Sequence, residues 1–367
     1  MRVLQVIARL NVGGTARYVG RLATDLPKRG VETLVATGHV QGAESEDPIA
    51  RLIEIKRASH LGRRINPVAD LRALRELQKI ADEYQPDIIH THTFKAGLLG
   101  RLIKSEAKRV HTFHGHLFDD PEFTGWKVPI VIQIERWLAR RTDALVTVGQ
   151  RVGHELLEAK IGRKDQYISI PPGVEALQIP PRAKAREALS ITDENRPIVA
   201  WVARVTGVKA PQRVVELAKL FPNARFLMAG GGDLLEDMKR TAPDNLTVLG
   251  WQDAATIWAA ADITLSTSEN EGMPVALIEA QLAGLPVVAT DVGAVGEVVI
   301  NGVTGFVTST EVLALRESLS ELLGDSELRQ RMGAAAKAHA EALFAPEQML
   351  FQHVRLYERL VNEPKRR

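Results

Sequence analysis

The chain has 367 residues, 45% hydrophobic and 25% charged, with no cysteine, a composition suited to two globular domains that each bury a core. Lack of cysteine excludes disulfides, thiolate catalysis and thiolate-bound zinc. A net charge of +2 excludes a wholesale nucleic-acid binder, yet residues 1–180 carry 27 Lys and Arg against 21 Asp and Glu, which suits an anionic partner of the N-terminal half.

Along the chain, apolar and β-branched runs alternate with helical stretches. VLQVIA, TLVATG, DIIHTH, RVHTFH and ALVTVG read as buried parallel strands. Between them ARYVGRLATDLPKRG and NPVADLRALRELQKIADEY repeat their apolar residues at three and four. The Pro-rich stretch 169–184 reads as a linker. Alternation then resumes with PIVAWVAR, RFLMAGGG, LTVLGW, ITLSTS, PVVATD and GFVTS. The expected fold is therefore α/β, with two doubly wound domains. The last helical stretch, after Pro346, has an apolar face of Met349, Leu350, Val354, Leu356 and Leu360 that needs a cover. No run reaches the 18 or so apolar residues of a membrane span, and MRVLQVIARL leads into a strand, so a cytoplasmic protein is expected.

Ligands of open α/β sheets bind beyond the carboxyl ends of the strands, which makes the residues just after each strand informative. NVGGTARYVG opens a helix on a glycine turn, so the amides of Gly13, Gly14 and Thr15 suit an anion. Its glycine spacing is not that of the dinucleotide fingerprint. DIIHTH and RVHTFHGH place His90, His92, His111, His114 and His116 at strand ends. Alternate strand positions face opposite sides, and no metal-binding helical motif is present, so structural roles are expected for several and no metal site. His114, followed by Gly115, is best placed to meet a ligand. Arg204 and Lys209 lie in one loop after a strand, a fork and a point charge suited to a diphosphate. AGGGD (Ala229–Asp233) offers a backbone cradle through Gly231 and Gly232, and Trp251–Gln252 a main chain able to read a base edge.

SENEGMPVALIEA sets Glu271 before a Gly-Met-Pro turn and Glu279 eight residues later inside a helix starting near Met273–Pro274. The first amides of such a helix suit an anion. A carboxylate buried more than a turn inside needs partners, and vicinal hydroxyls such as those of a ribose supply them. Acid, phosphate site and acid in this order have the shape of a nucleotide-sugar site.

The whole chain resembles the GT-B family of retaining glycosyltransferases known as family 4. The resemblance rests on the Glu271-to-Glu279 motif within STSENEGMPVALIEAQLAGLPVVATDVGAVGEVVINGVTGFV, with Gly13-Gly14, His114, the Arg204/Lys209 pair and GGGD in matching order. It implies two Rossmann-like domains facing across a cleft. One would span 1–175 with the C-terminal helix 346–363 crossing back to it; the other would span 183–345 and hold the donor. It further implies that Glu279 holds the ribose and that Glu271 contacts the transferred sugar. Arg204, Lys209, Gly13, Gly14 and the amides from Gly272 to Val275 would bind the diphosphate, with His114 near the reacting centre. The expected reaction is retaining, metal-independent transfer of a hexose-type sugar, UDP-linked by preference, with no cofactor.

Partners implied are the nucleoside-diphosphate sugar and a sugar, glycan or lipid-linked acceptor, as in polysaccharide or glycoconjugate synthesis. Acceptor contacts are expected from Thr15, Arg17, His92, Lys95 and His116. Val128–Arg141 combines Ile, Val and Trp with three arginines, the pattern either of a buried helix with an arginine face or of peripheral attachment to a membrane. Two rival readings use the same residues: a nucleotide-sugar epimerase, detectable by an epimer formed without acceptor, and a non-catalytic nucleotide-sugar-binding protein. The base, sugar, acceptor and oligomeric state are not legible.

Overall fold

The computed structural model describes residues 1–41, 45–62, 66–115, 125–192 and 196–363. They form two compact units, Met1–Gly173 with Pro346–Arg367, and Val174–Ala345.

The first unit is a seven-stranded parallel sheet. Its strands are β1 (Arg2–Ile7), β2 (Glu32–Thr37), β3 (Ile55–Arg57), β4 (Ile88–His92), β5 (Lys108–Phe113), β6 (Ala144–Thr147) and β7 (Tyr167–Ser169), in the order 3-2-1-4-5-6-7. Helices cover both faces, which is why β1 after Arg2, and β4 and β6 throughout, are buried at every position rather than at alternate ones. The edge strands β3 and β7 are three residues each, too short to show a period. Because β7 takes in Ser169 and a helix begins at Arg182, the irregular segment is 170–181, shorter than the linker expected at 169–184.

The C-terminal helix Pro346–Asn362 returns to this unit and finds its cover there. Its buried residues are Met349, Leu350, His353, Leu356, Tyr357 and Leu360. The face is thus centred on His353 and Tyr357, and Val354 is only half-buried, a correction to the purely apolar face. Two polar side chains occupy it because both find hydrogen-bond partners, Tyr357 in Gln5 and His90 of the sheet and His353 in Tyr18 and the Met349 carbonyl.

The second unit has six parallel strands, β8 (Ile198–Val202), β9 (Arg225–Ala229), β10 (Leu246–Gly250), β11 (Ile263–Ser266), β12 (Val287–Thr290) and β13 (Gly305–Thr308), in the order 10-9-8-11-12-13. Val199, Trp201, Phe226, Met228, Ile263 and Leu265 pack on one face with Leu315 and Leu319. Ala200, Leu227, Ile257 and Trp258 pack on the other. In each unit the strand order reverses once, between β1 and β4 and between β8 and β11. Crevices form at such reversals because the connections leave to opposite faces of the sheet.

Candidate active site

At the reversal in the second unit, the loop after β8 (203–210) meets the loop after β11 (267–274). Trp201 Nε1 donates to Thr267 Oγ1 at 3.0 Å, and that hydroxyl lies 2.9 Å from the Lys209 carbonyl and 3.0 Å from that of Ala210. Glu269 N donates to the Val208 carbonyl at 2.9 Å, Thr290 Oγ1 to the Ser268 carbonyl at 2.6 Å, and Ala294 N to the Gly272 carbonyl at 3.1 Å. Ala210 is held at φ 43°, in the left-handed region that a non-glycine residue enters at a cost. It starts the helix Pro211–Leu220 immediately after Lys209. Strain at that point, offset by the surrounding hydrogen bonds, fixes where the lysine sits.

Lys209 Nζ lies 2.6 Å from Glu271 Oε1, which also accepts from Ser268 Oγ at 2.7 Å. Both partners are largely buried, with side-chain exposures of 16% and 12%. One N–H of the ammonium is spent on the glutamate. Two further donors and the loop amides remain for other acceptors. Arg204 is exposed at the head of the same loop. Pro274 caps the helix Val275–Leu282 at φ −75°, so the helix begins one residue later than the sequence pattern indicates. Glu279 is buried within it at 6% exposure, and Met273 is buried beside the turn.

The glycines behave differently from a simple cradle. A Cβ on Gly231 would come within 2.2 Å of Trp251 Nε1, and one on Gly232 within 2.2 Å of the Val205 carbonyl. Val205 N donates to the Gly231 carbonyl at 3.0 Å. These residues are small so that β9, the loop after β8 and the indole can pack closely. Trp251 lies with its ring against Gly231 while remaining 67% exposed, and Gln252 is exposed. The indole thus packs on Gly231 as a side chain, where the sequence singled out only the Trp251 backbone.

In the first unit, Gly13 takes φ 154° and precedes the helix Gly14–Asp25. Thr15 is half-buried and Arg17 exposed in its first turn. The histidines divide by strand register. His90 and His92 share a sheet face with Thr112, while Thr91 pairs in register with His111 on the opposite face. There His111 Nδ1 lies 2.8 Å from Thr91 Oγ1. On the first face His92 Nδ1 is 2.9 Å from His114 Nε2. His92 itself is fully buried, so the direct acceptor contact expected of it is corrected: it stands behind His114. Lys95 is also corrected, because it is buried and ion-paired with Asp70. His116 lies outside the described residues.

Burial pushes His90, His92 and His111 well below the usual imidazole range, and the crowding of imidazoles that cannot all be protonated together, with Arg101 beside His111, adds to the effect. His114 falls to about 3 and His353 to about 4 for the same leading reason. All five rings are neutral at pH 7. Among the described residues, no group of three or more His, Asp or Glu is arranged to hold a metal ion.

Gln5, Tyr18, His353 and Tyr357 join this cluster and are absent from the sequence reading. A glutamine inside the apolar strand VLQVIA was the available signal, since a polar side chain there must find buried partners. His353 and Tyr357, four apart on an otherwise apolar helix face, were another.

Two parallel sheets with helices on both faces, each reversing its strand order once, place the protein in the GT-B fold class. Sucrose-phosphate synthase from Thermosynechococcus elongatus has the same fold, with a TM-score of 0.84 at 21% identity over 98% of each chain. HepE of Anabaena, solved with UDP and glucose, superposes with a TM-score of 0.82 at 20% identity over 98% of this chain and 100% of that one. The model of the glycosyl transferases group 1 matches residues 183–339, and that of glycosyltransferase family 4 matches residues 12–176. The chain belongs to the family 4 glycosyltransferases. An Escherichia coli UDP-Gal:α-D-GlcNAc-diphosphoundecaprenol α-1,3-galactosyltransferase is 29% identical over 67% of this chain and 68% of its own. D-inositol 3-phosphate glycosyltransferase of Nocardia farcinica is 28% identical over 90% of this chain and 81% of its own.

Proposed function

We propose that this glycosyltransferase moves a hexose-type sugar from a nucleoside diphosphate, UDP by preference, to a glycan or lipid-linked acceptor, with retention and without a metal. The observation that carries this reading is the Lys209–Glu271 contact at 2.6 Å in loops tied together at the β8/β11 reversal, beside the N-terminus of the helix that buries Glu279. Cleaving the anomeric bond develops negative charge on the departing diphosphate. Arg204, Lys209 and the amides at Val275 and Ala276 neutralise it with donors already in place. Glu279 accepts from the ribose hydroxyls, and Glu271 from a hydroxyl of the transferred sugar. Retention follows from attack on the face the diphosphate leaves, whose oxygen takes the acceptor's proton, so no protein nucleophile is assigned.

Titration calorimetry with UDP, GDP, ADP and dTDP in excess chelator tests this directly. One diphosphate is expected to bind far more tightly than the rest. Binding by none, or binding restored only by added metal, overturns the metal-independent donor site. Glu279→Ala is expected to weaken that binding roughly 10- to 100-fold, the scale of losing a charged hydrogen-bond acceptor. Unchanged affinity in the folded variant removes the ribose assignment.

A membrane-borne acceptor is favoured by the outer face of the helix Lys127–Ala139. Ile130 is 48% and Trp137 40% exposed along it, with Trp126 before it 75% exposed. Pro129, Ile130, Gln133, Ile134 and Trp137 line an apolar groove. An adjoining hollow shares Gln133 and is lined by Arg136, Arg140, Lys160 and Arg163, with no acid among its lining residues. Apolar side chains beside a hollow with a surplus of cations, of which Arg163 alone is shown paired with an acid, Asp165, complement an anionic phospholipid surface. No helix among the described residues is long and apolar enough to cross a membrane, so the attachment is peripheral. The protein is expected to sediment with phosphatidylglycerol vesicles, and not with phosphatidylcholine vesicles. With about 1 kcal/mol per cation near the surface, losing two arginines costs roughly 30-fold in partitioning. An Arg136→Gln, Arg140→Gln variant that sediments as before, or a dimer that forms without vesicles and buries Trp137, overturns the assignment.

A further inference from the structure

A continuous hydrogen-bond chain runs through the first unit behind His114. Thr112 Oγ1 is 2.6 Å from His90 Nε2, and His90 Nδ1 is 2.6 Å from the Tyr357 hydroxyl. Gln5 Nε2 donates to that hydroxyl at 3.3 Å, while Gln5 Oε1 lies 2.7 Å from His92 Nε2. His92 Nδ1 then meets His114 Nε2 at 2.9 Å. Gln5, His90, His92 and Tyr357 are all fully buried, so water does not compete for these bonds.

Each link has one hydrogen, so the chain must run in one direction. A carbonyl oxygen only accepts, which makes His92 Nε2 the donor to Gln5. A neutral imidazole carries one N–H, so His92 Nδ1 is bare and accepts from His114 Nε2–H. His114 in turn keeps a bare Nδ1. If Gln5 turned its amide over, every bond would reverse and His114 would carry its proton on Nδ1 instead. The Gln5 amide thus decides whether His114 offers an acceptor or a donor, with the tautomer assigned from the network.

We infer that Gln5, His92 and Tyr357 are positioning residues that hold His114 in the Nε2–H tautomer, so that its Nδ1 accepts a hydrogen bond from a hydroxyl of the sugar substrate. This rests on the glycosyltransferase reading and on the place near the reacting centre that the family resemblance implies for His114. The C-terminal helix has a part in it: with its one hydrogen given to His90 Nδ1, the Tyr357 hydroxyl is left to accept from the Gln5 amide nitrogen. Tyr18 and His353 lie alongside and outside the chain: Tyr18 O–H is 3.2 Å from His353 Nε2, and His353 Nδ1 is 2.8 Å from the Met349 carbonyl.

Nitrogen-15 NMR of the histidine-labelled protein, without substrate, reads the tautomer directly. His114 is expected to show a protonated Nε2 and a bare Nδ1. Tyr357→Phe removes the acceptor for the Gln5 amide and is expected to give mixed His114 tautomers. It is also expected to lower kcat roughly tenfold, the scale of one misdirected hydrogen bond, at unchanged donor KM. Tyr18→Phe keeps the ring 4.9 Å from His114 and leaves the tautomer as it was. A protonated Nδ1 in the unsubstituted protein overturns the inference, as does a tautomer unmoved in Tyr357→Phe. If Tyr357→Phe does not fold, the first spectrum decides alone. Because it needs no substrate, failure of the transferase reading would leave that spectrum unchanged and appear only in the turnover assay.

Discussion

Lys209→Met is expected to lower kcat/KM by about 10²- to 10³-fold, the cost of removing one preorganised charge from a developing oxyanion. Lys209 combines a fixed position, set by Ala210 at φ 43° and the Thr267 hydroxyl, with low exposure, which strengthens its field at a departing phosphate. The substitution also leaves the Glu271 carboxylate unpaired except for Ser268. Repulsion of the diphosphate by that carboxylate then adds to the loss. Lys209→Met with Glu271→Gln is therefore expected to be less impaired than the two single effects combined, as groups in contact are not additive. Steady-state kinetics on the four proteins of the cycle checks this. A Lys209→Met enzyme within threefold of the parent, or strictly additive effects, would place the diphosphate elsewhere. Arg204 sits exposed on the same loop, so its loss is expected to cost less through solvent screening.

Glu135→Ala is expected to destabilise the first unit by about 3–5 kcal/mol, the range for stranding one member of a buried ion pair. Arg101 Nη2 lies 2.7 and 2.8 Å from the two Glu135 oxygens, both side chains are 0% exposed, and Arg101 Nε donates to the Gly97 carbonyl at 2.8 Å. Removing the carboxylate leaves a guanidinium in apolar surroundings, with Nη1 already lacking a partner. Collapse is blocked, since even a Cβ at Gly97 would meet His111 Cε1 at 2.4 Å. Arg101→Met together with Glu135→Leu removes both charges and is expected to recover most of the loss. Denaturant unfolding of the three variants measures it, and a Glu135→Ala midpoint equal to the parent's would refute the account. Glu135 anchors the inner face of the helix whose outer face carries Ile130 and Trp137, so vesicle binding should weaken in this variant as that helix loosens.

The Lys209–Glu271 contact joins two residues that the sequence already singled out. Arg204, Lys209 and Glu271 each lie in a loop after a strand whose apolar run marks its end, and Glu279 lies in the helix that follows. Each of the six strands expected in the second half matches an observed strand, because strands of a parallel sheet are rich in apolar and β-branched residues. β3 and β7 escaped because three residues carry no period, and the Lys95–Asp70 pair because its partners lie 25 residues apart.

Sequence alone thus determined the α/β alternation and the order of chemically committed residues, since backbone periodicity and loop chemistry are local. Tertiary structure decided which of those residues are spent on each other. Lys209 is partly neutralised by Glu271, His92 stands behind His114, Gly231 lies under Trp251, and the final helix brings Tyr357 to Gln5 across a separation of 352 residues. Such pairings depend on strand register and on which sheet face a side chain leaves. Those are long-range properties that no window of sequence contains.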